Sequence, residues 1–371
     1  MRLFSDVSSS ITDPYLRRAC ELAQRGLGTT SPNPMVGCVV VADGRIVGEG
    51  YHESAGQPHA EVLALQDAGD AARGADVYVT LEPCNHTGRT PPCTEALIDA
   101  GIASVLIGMA DPNPEVEGGG AARLAAAGVD VCLAEDPSPC ESLNEPWLKW
   151  ARTGRPFVQV KVAVSLDGHA SAQSGAKTVI SGTGGRSVTM RLRAAADAVL
   201  VGAETALIDQ PRLTARDADD RDTDRQPLRI VWGRTGVPDL DLFHDALGPA
   251  IALLPRADPP YASARPQDAE VLQYEDADDP LSALDALGSR GIVRLLVEAG
   301  PALLTALLKA GAVDELVLVH GGGFAAASAP PLFVGESPGG TTWLERSLSA
   351  IEAGVVDEDA ITVWRPKRPP E

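Results

Sequence analysis

The spacing of His59-Ala60-Glu61 against Pro83-Cys84 and Pro92-Cys93 restricts the fold more than any other feature of this chain. One imidazole and two thiolates hold Zn²⁺ on three sides of a tetrahedron and leave the fourth to solvent, the arrangement of a catalytic rather than a structural zinc. A water in such a position becomes a nucleophile at neutral pH. Residues two apart on a regular helix diverge by roughly 200°, so His59 and Glu61 converge on one metal only if His59 lies at the mouth of a helix. Glu61 then falls in its first turn, beside the metal but not ligating it, where it can shuttle protons. Taken alone, each ligand has a plainer reading: a hydrogen-bonded histidine, or a closed structural site.

The surroundings favour the catalytic reading. Ala75 to Leu81 is a short β-branched run that reads as a buried strand, and it delivers Glu82-Pro83-Cys84 at its carboxyl end, where open α/β sheets place their chemistry. Asp13-Pro14 is a helix start, with the helix running to about Gly26. Met35–Val41 and Ile46–Gly50 flank an Asp43-Gly44 hairpin turn. Helices are expected at His59–Ala68, Cys93–Ala100 and Ala121–Ala127, and strands at Ser104–Met109 and Val129–Leu133. This alternation predicts a three-layer α/β/α sandwich. His-x-Glu ahead of Pro-Cys is the division of labour of zinc nucleobase deaminases, although the cysteines here are separated by eight residues rather than two.

The segment Glu82-Pro-Cys-Asn-His-Thr-Gly-Arg-Thr-Pro-Pro-Cys93, with Ser31-Pro-Asn-Pro-Met-Val-Gly37 and Asp111-Pro-Asn-Pro114, resembles the deaminase half of the bifunctional riboflavin biosynthesis deaminase/reductase family. The resemblance implies zinc on His59, Cys84 and Cys93, and a proton shuttle at Glu61. It also implies that Asn33, His52, His86 and Arg89 contact the pyrimidine or its ribose phosphate. Asn33 between two prolines also reads as a turn residue, and Arg89 as a solvated loop cation.

A chain of 371 residues exceeds what one core normally organises, so two domains are expected. The formal charge of −20 argues against nucleic acid as a partner; a phosphorylated metabolite needs only a local basic pocket. The amino terminus lacks the apolar core of a signal peptide, and no run approaches the ~20 apolar residues of a membrane span. A cytoplasmic homo-oligomer without membrane contact is the expectation. Cys20, Cys38, Cys132 and Cys140 are expected to be small buried fillers.

A basic, turn-rich link at 152–156 divides the chain into an expected first domain, 1–153, and a second, 154–371. Phe157 opens a strand that runs into Lys161-Val-Ala-Val-Ser-Leu-Asp-Gly168. This segment, Ala198-Val-Leu-Val-Gly202 with Asp209-Gln-Pro-Arg-Leu-Thr-Ala-Arg216, and Leu295-Leu-Val-Glu-Ala-Gly-Pro301 resemble the reductase half of the same family, whose fold is similar to dihydrofolate reductase. A strand ending at Gly300, followed by a helix from Pro301, offers free N–H groups to a dinucleotide phosphate; no GxGxxG fingerprint is present.

The resemblance implies that Lys161, Arg186, Leu213, Arg216 and Glu298 face the phosphoribosyl substrate. It places Ala163, Thr205, Asp209 and Gly300 toward NADPH. Guanidinium pairs match phosphate oxygens, whereas Arg191 and Arg193 are expected at the surface, and the acidic stretch 217–224 as a solvated loop. The second half departs from the family pattern at 176–180, where a serine and a tryptophan are usual, at Gln210, at 232–234 and at 320–331. The reaction expected is zinc-dependent deamination of 2,5-diamino-6-(5-phosphoribosylamino)pyrimidin-4(3H)-one. NADPH-dependent reduction of the ribosyl group of the resulting uracil would follow, with Lys161 and Glu298 orienting and protonating it. A deaminase with a weak second domain, a polynucleotide deaminase and a zinc-stabilised scaffold are the alternatives.

Overall fold

The computed structural model describes residues 3–4, 6–85, 92–112, 119–171, 175, 177–256, 266, 269–325, 328–334 and 348–367. The chain divides into two compact units, 1–154 and 155–371.

In the first unit, helix α1 (Pro14–Ala23) begins where a capping Asp and a following Pro require it: the Asp13 carboxylate accepts the N–H groups of Tyr15 and Leu16, both at 2.9 Å. Strands β1 (Gly37–Ala42) and β2 (Arg45–Tyr51) pair antiparallel around Asp43-Gly44, both at positive φ, the geometry of a two-residue hairpin turn. Then follow α2 (Ala60–Ala68), β3 (Asp76–Val79), α3 (Cys93–Ala100), β4 (Ser104–Ile107), α4 (Gly119–Ala126), β5 (Asp130–Leu133), α5 (Ser138–Leu143) and α6 (Glu145–Thr153). The sheet order is β2-β1-β3-β4-β5.

Alternation along β1 builds the layers. Cys38 and Val40 pack with Ala60, Ala64, Leu97 and Leu124 from α2, α3 and α4, while Val39 and Val41 pack with Ala19 and Leu22 of α1. Cys20, Cys38 and Cys140 are buried as expected. Cys132 is not: it lies exposed on β5, an edge strand, so only one flank of that strand is covered.

Two glycines of β2 set the seat of α2. A Cβ at Gly48 would lie 2.3 Å from the Ala64 carbonyl oxygen, and one at Gly50 only 2.4 Å from that of Ala60. The helix backbone therefore rests directly on the strand, which fixes the height of the residues at the helix mouth. Gly50→Ala is expected to destabilise the first unit by about 2 kcal/mol through overpacking and to weaken metal retention. Urea unfolding with zinc analysis of the dialysed variant checks this.

The second unit contains β6 (Phe157–Val164), α7 (Thr183–Ala195), β7 (Ala198–Gly202), α8 (Ala203–Asp209), β8 (Leu228–Trp232), β9 (Ala250–Pro255), β10 (Glu270–Tyr274), α9 (Pro280–Ser289), β11 (Arg294–Glu298), α10 (Pro301–Lys309), β12 (Glu315–His320), β13 (Leu348–Val356) and β14 (Asp359–Pro366). Its sheet runs β10-β9-β8-β7-β11-β6-β12-β14-β13, parallel from β10 to β12, with β14 and β13 antiparallel. Val158, Val160, Leu200, Ile230, Leu253, Leu295 and Val297 form the heart of its core. The chain leaves β10 and returns to insert β11 between β7 and β6, so the carboxyl ends of these three strands meet at a topological switch point.

Helix α7 lacks a side-chain cap of its own. Its first N–H groups are taken by the β13–β14 turn: Asp359 accepts from Gly182 at 2.9 Å and Gly185 at 2.7 Å, and Glu358 accepts from Thr183 at 2.7 Å. Carboxylates at a helix N-terminus satisfy both its open donors and its dipole. No described helix is long and apolar enough to cross a membrane.

Candidate functional site

His59 is the N-cap of α2, with φ −74° and ψ 162°, and its side chain makes no capping bond. That is the helix-mouth position the sequence requires. Cys93 is the first residue of α3, and Cys84 follows the end of β3. His59 Nδ1 lies 3.2 Å from Cys93 Sγ and 3.5 Å from Cys84 Sγ, and the three ligand atoms lie within 4.8 Å of one another. Tetrahedral zinc with its usual bond lengths requires an N···S separation of about 3.6 Å, so this donor set fits the ion. Hydrogen bonding from Cys93, working against burial and aided by His59 and the Cys93 N–H, pulls the Cys84 thiol down to about 4.

Glu61 occupies the first turn of α2 and is 3% exposed. Burial, followed by the charge of Cys84, pushes its carboxyl up to about 7. His52 stands beside His59 with ring centroids 5.4 Å apart. Its Nδ1 meets the Pro58 carbonyl at 3.1 Å and its Nε2 meets Asn33 Nδ2 at 3.0 Å, so Nδ1 carries the proton and Nε2 accepts from the amide. Burial lowers its pKa below the ordinary value. Asn33, His52, His59, Glu61, Cys84 and Cys93 are thus brought together; His86 and Arg89 lie outside the described residues.

One anchor went unread in the sequence. The Glu82 carboxylate accepts the Ala121 N–H at 2.9 Å and the Asp111 N–H at 3.3 Å, tying the strand end that presents Cys84 to the start of α4. Its acid beside Pro83-Cys84 was visible, but its acceptors' donors lie 29 and 39 residues away.

In the second unit Lys161, within β6, and Glu298, the last residue of β11, are register partners on adjacent strands. Burial is the main influence lowering the Lys161 ammonium below its ordinary value, with Glu298 opposing it. Burial would raise Glu298, but the charge and hydrogen bonds of Arg193, then Lys161 and Arg216, outweigh it and hold the carboxyl low. Arg193 is therefore not a surface residue: it is buried, with Nε 2.5 Å and Nη2 2.9 Å from the two Glu298 oxygens. Arg186 and Arg193 are seven residues apart, two turns along one face of α7; that spacing was the available signal.

Arg186 and Arg216 converge on one oxygen, Asp220 Oδ1, the latter at 2.8 Å, and Asp222 holds Arg212 at 2.5 Å. The acidic stretch is thus engaged with arginines rather than merely solvated. Leu213, fully buried at φ +56°, leads into this arginine pair.

Gly300 caps α10 with no side-chain hydrogen bond, and a Cβ there would lie 2.9 Å from Thr205 Oγ1. An open helix N-terminus that a phosphate can approach closely suits a dinucleotide. Asp209 ends α8, where its carbonyl accepts Lys177 Nζ at 3.0 Å. Burial raises its carboxyl above the ordinary value, with Lys177 opposing. Ala163 lies two residues beyond Lys161, on the same face of β6. Of the residues named from the sequence, Lys161 and Ala163 on β6, Glu298 on β11, and Thr205 and Gly300 just past β7 and β11 are thus carried by neighbouring strands, while Arg186 comes from α7 and Asp209 from the end of α8.

Residues 9–109 match the family model described as the cytidine and deoxycytidylate deaminase zinc-binding region, and residues 156–361 match that of the RibD C-terminal domain. Over 323 residues the chain is 43% identical to riboflavin biosynthesis protein RibD of Escherichia coli, covering 82% of this chain and 86% of that one. Among solved structures, RibD of Acinetobacter baumannii is similar with a TM-score of 0.84 and 35% identity, over 95% of this chain and 98% of that one. A diaminohydroxyphosphoribosylaminopyrimidine deaminase/5-amino-6-(5-phosphoribosylamino)uracil reductase of Thermotoga maritima is similar with a TM-score of 0.81 and 31% identity, over 95% and 98%. Both halves are matched, so a deaminase with a merely degenerate partner domain is not favoured. The chain belongs to the RibD family, the bifunctional enzymes of riboflavin biosynthesis that join a zinc-binding deaminase domain to a reductase domain.

Proposed function

We propose that the first domain, 1–153, deaminates 2,5-diamino-6-(5-phosphoribosylamino)pyrimidin-4(3H)-one. The second, 154–371, then reduces the ribosyl group of the resulting 5-amino-6-(5-phosphoribosylamino)uracil to ribityl. The reading is carried by the convergence of His59, Cys84 and Cys93 within 4.8 Å, beside the buried Glu61. Zinc held by these three residues supplies an activated water, and NADPH lodged against Thr205, Asp209, Ala163 and the Gly300 helix mouth supplies a hydride.

The remaining work belongs to the side chains. Glu61 accepts a proton from the attacking water and returns it to the departing amine, so that ammonia leaves and a ring carbonyl remains. Asn33 and His52, fixed by their mutual hydrogen bond, orient the pyrimidine, joined by His86 and Arg89. In the second domain Lys161 and Glu298 orient the ribosyl group, and the Lys161 ammonium furnishes the proton that accompanies reduction at C1′. Arg186 and Arg216 clamp the phosphate, next to Leu213; both already reach one carboxylate oxygen, and a phosphate offers more charge to the same guanidinium pair. A cytoplasmic setting suits two ligand thiols that must stay reduced.

Incubating the zinc-loaded protein with the diaminopyrimidinone phosphoriboside tests this directly. Ammonia release without NADPH, and loss of nicotinamide absorbance only after deamination, are expected. Ammonia without any NADPH oxidation would defeat the second half of the reading.

A further inference from the structure

The geometry points to Arg193 as a positioning residue of the reduction, holding Glu298 apart from Lys161 and coupling it to the phosphate loop. This rests on the functional reading above and adds a residue to it. All three guanidinium nitrogens are in use. Nε and Nη2 take both Glu298 oxygens, and Nη1 donates to the Thr214 carbonyl at 2.9 Å. The side chain is 7% exposed, so it does not reach solvent as a helix-surface arginine would.

The consequence for Lys161 follows from register. Lys161 and Glu298 stand side by side across β6 and β11, the placement in which an ammonium and a carboxylate ordinarily pair. Yet among the described residues Lys161 makes no side-chain hydrogen bond or ion pair, while both oxygens of its neighbour are turned to Arg193. The ammonium is left available to the ribosyl group. Through Thr214 the same guanidinium fixes the segment between Leu213 and Arg216, whose Nε is buried without a hydrogen-bond partner among the described residues. One planar fork thus sets the acid, frees the lysine and seats the phosphate loop, which the point charge of a lysine cannot do.

The test uses the full-length, zinc-loaded protein with Arg193→Met and Arg193→Lys, supplied with 5-amino-6-(5-phosphoribosylamino)uracil and NADPH. Because Arg193 lies in the second unit, far-UV circular dichroism and the urea unfolding of the same preparations report on its folding, with deamination as a control on the first unit. Reductase kcat is expected to fall about 100-fold in R193M, the scale of misplacing a reacting group, and by an intermediate factor in R193K; the KM for NADPH should hold.

The pH profile separates positioning from mere support. Glu298 faces Arg193, Lys161 and Arg216, and Lys161 faces Glu298, Arg193 and Asp359. Removing the Arg193 charge raises both groups, so both limbs of the reductase profile move to higher pH in R193M. R193K keeps a cation, and its limbs move less. Parent-like kcat and limbs in R193M overturn the proposal, as does a rate loss with unmoved limbs. If R193M loses its fold, R193K carries the decision: parent-like kcat there also overturns it. A parent protein that oxidises no NADPH overturns the functional reading and this proposal together; an active parent with unaffected variants overturns this proposal alone.

Discussion

Glu61→Gln is expected to lower ammonia release by about 10²–10⁴-fold, the usual contribution of a positioned acid–base group, while the protein retains its zinc. The amide keeps the shape of the side chain in the first turn of α2 but cannot take a proton from water and pass it on. Metal retention follows because none of the three ligand atoms is altered and the helix mouth that presents His59 is unchanged. Stability should hold or rise, since a fully buried acid is replaced by a neutral group of the same volume. The reductase, assayed on separately supplied deaminated substrate, should run at the parent rate. Zinc content by mass spectrometry with both assays on one preparation decides the matter: a variant that deaminates normally, or one that loses the metal, removes Glu61 from the proton-transfer role.

What could be read from the sequence was what local geometry dictates. His59 and Glu61 cannot share a metal inside a helix, so the helix start was forced, and His59 is indeed the N-cap. Asp13-Pro14 and Asp43-Gly44 carry their own caps and turn angles, and both behave accordingly. What could not be read depends on partners far along the chain. Arg193 looks like any arginine on an amphipathic helix until Glu298, 105 residues later, arrives beneath it. The cap of α7 comes from Asp359, 177 residues from Gly182. Asp217 to Asp224 has the composition of a solvated loop, and nothing in it announces that Asp220 meets Arg186 of α7. Cys132 sits in a correctly read strand, but only the strand order reveals that this strand is an edge.

Lys161→Met is expected to lower the reductase rate by about 10²-fold or more and, in the same variant, to stabilise the second domain at neutral pH. The two effects have one cause. Burial, assisted by Arg193 and resisted by Glu298 and Asp359, leaves the folded-state pKa of Lys161 below 10.5. The native state therefore releases this proton at lower pH than the unfolded chain does. Between the depressed folded value and 10.5 the unfolded chain binds more protons, so the contribution of this group to stability rises with pH across that window. Below it, the ammonium is a standing cost that methionine removes while keeping most of the packing. Urea unfolding at pH 7 should show a higher midpoint for K161M than for the parent, with the difference shrinking as pH climbs through the window. The same ordering predicts the alkaline limb of the parent reductase: activity that needs the ammonium is lost below 10.5. Glu298→Gln, by removing the charge that supports the ammonium, should move that limb to still lower pH. A limb that stays fixed in E298Q, or a K161M protein that unfolds more easily than the parent at neutral pH, would mean that the lysine is held as an ordinary structural cation and not as a proton donor kept poised by its own desolvation.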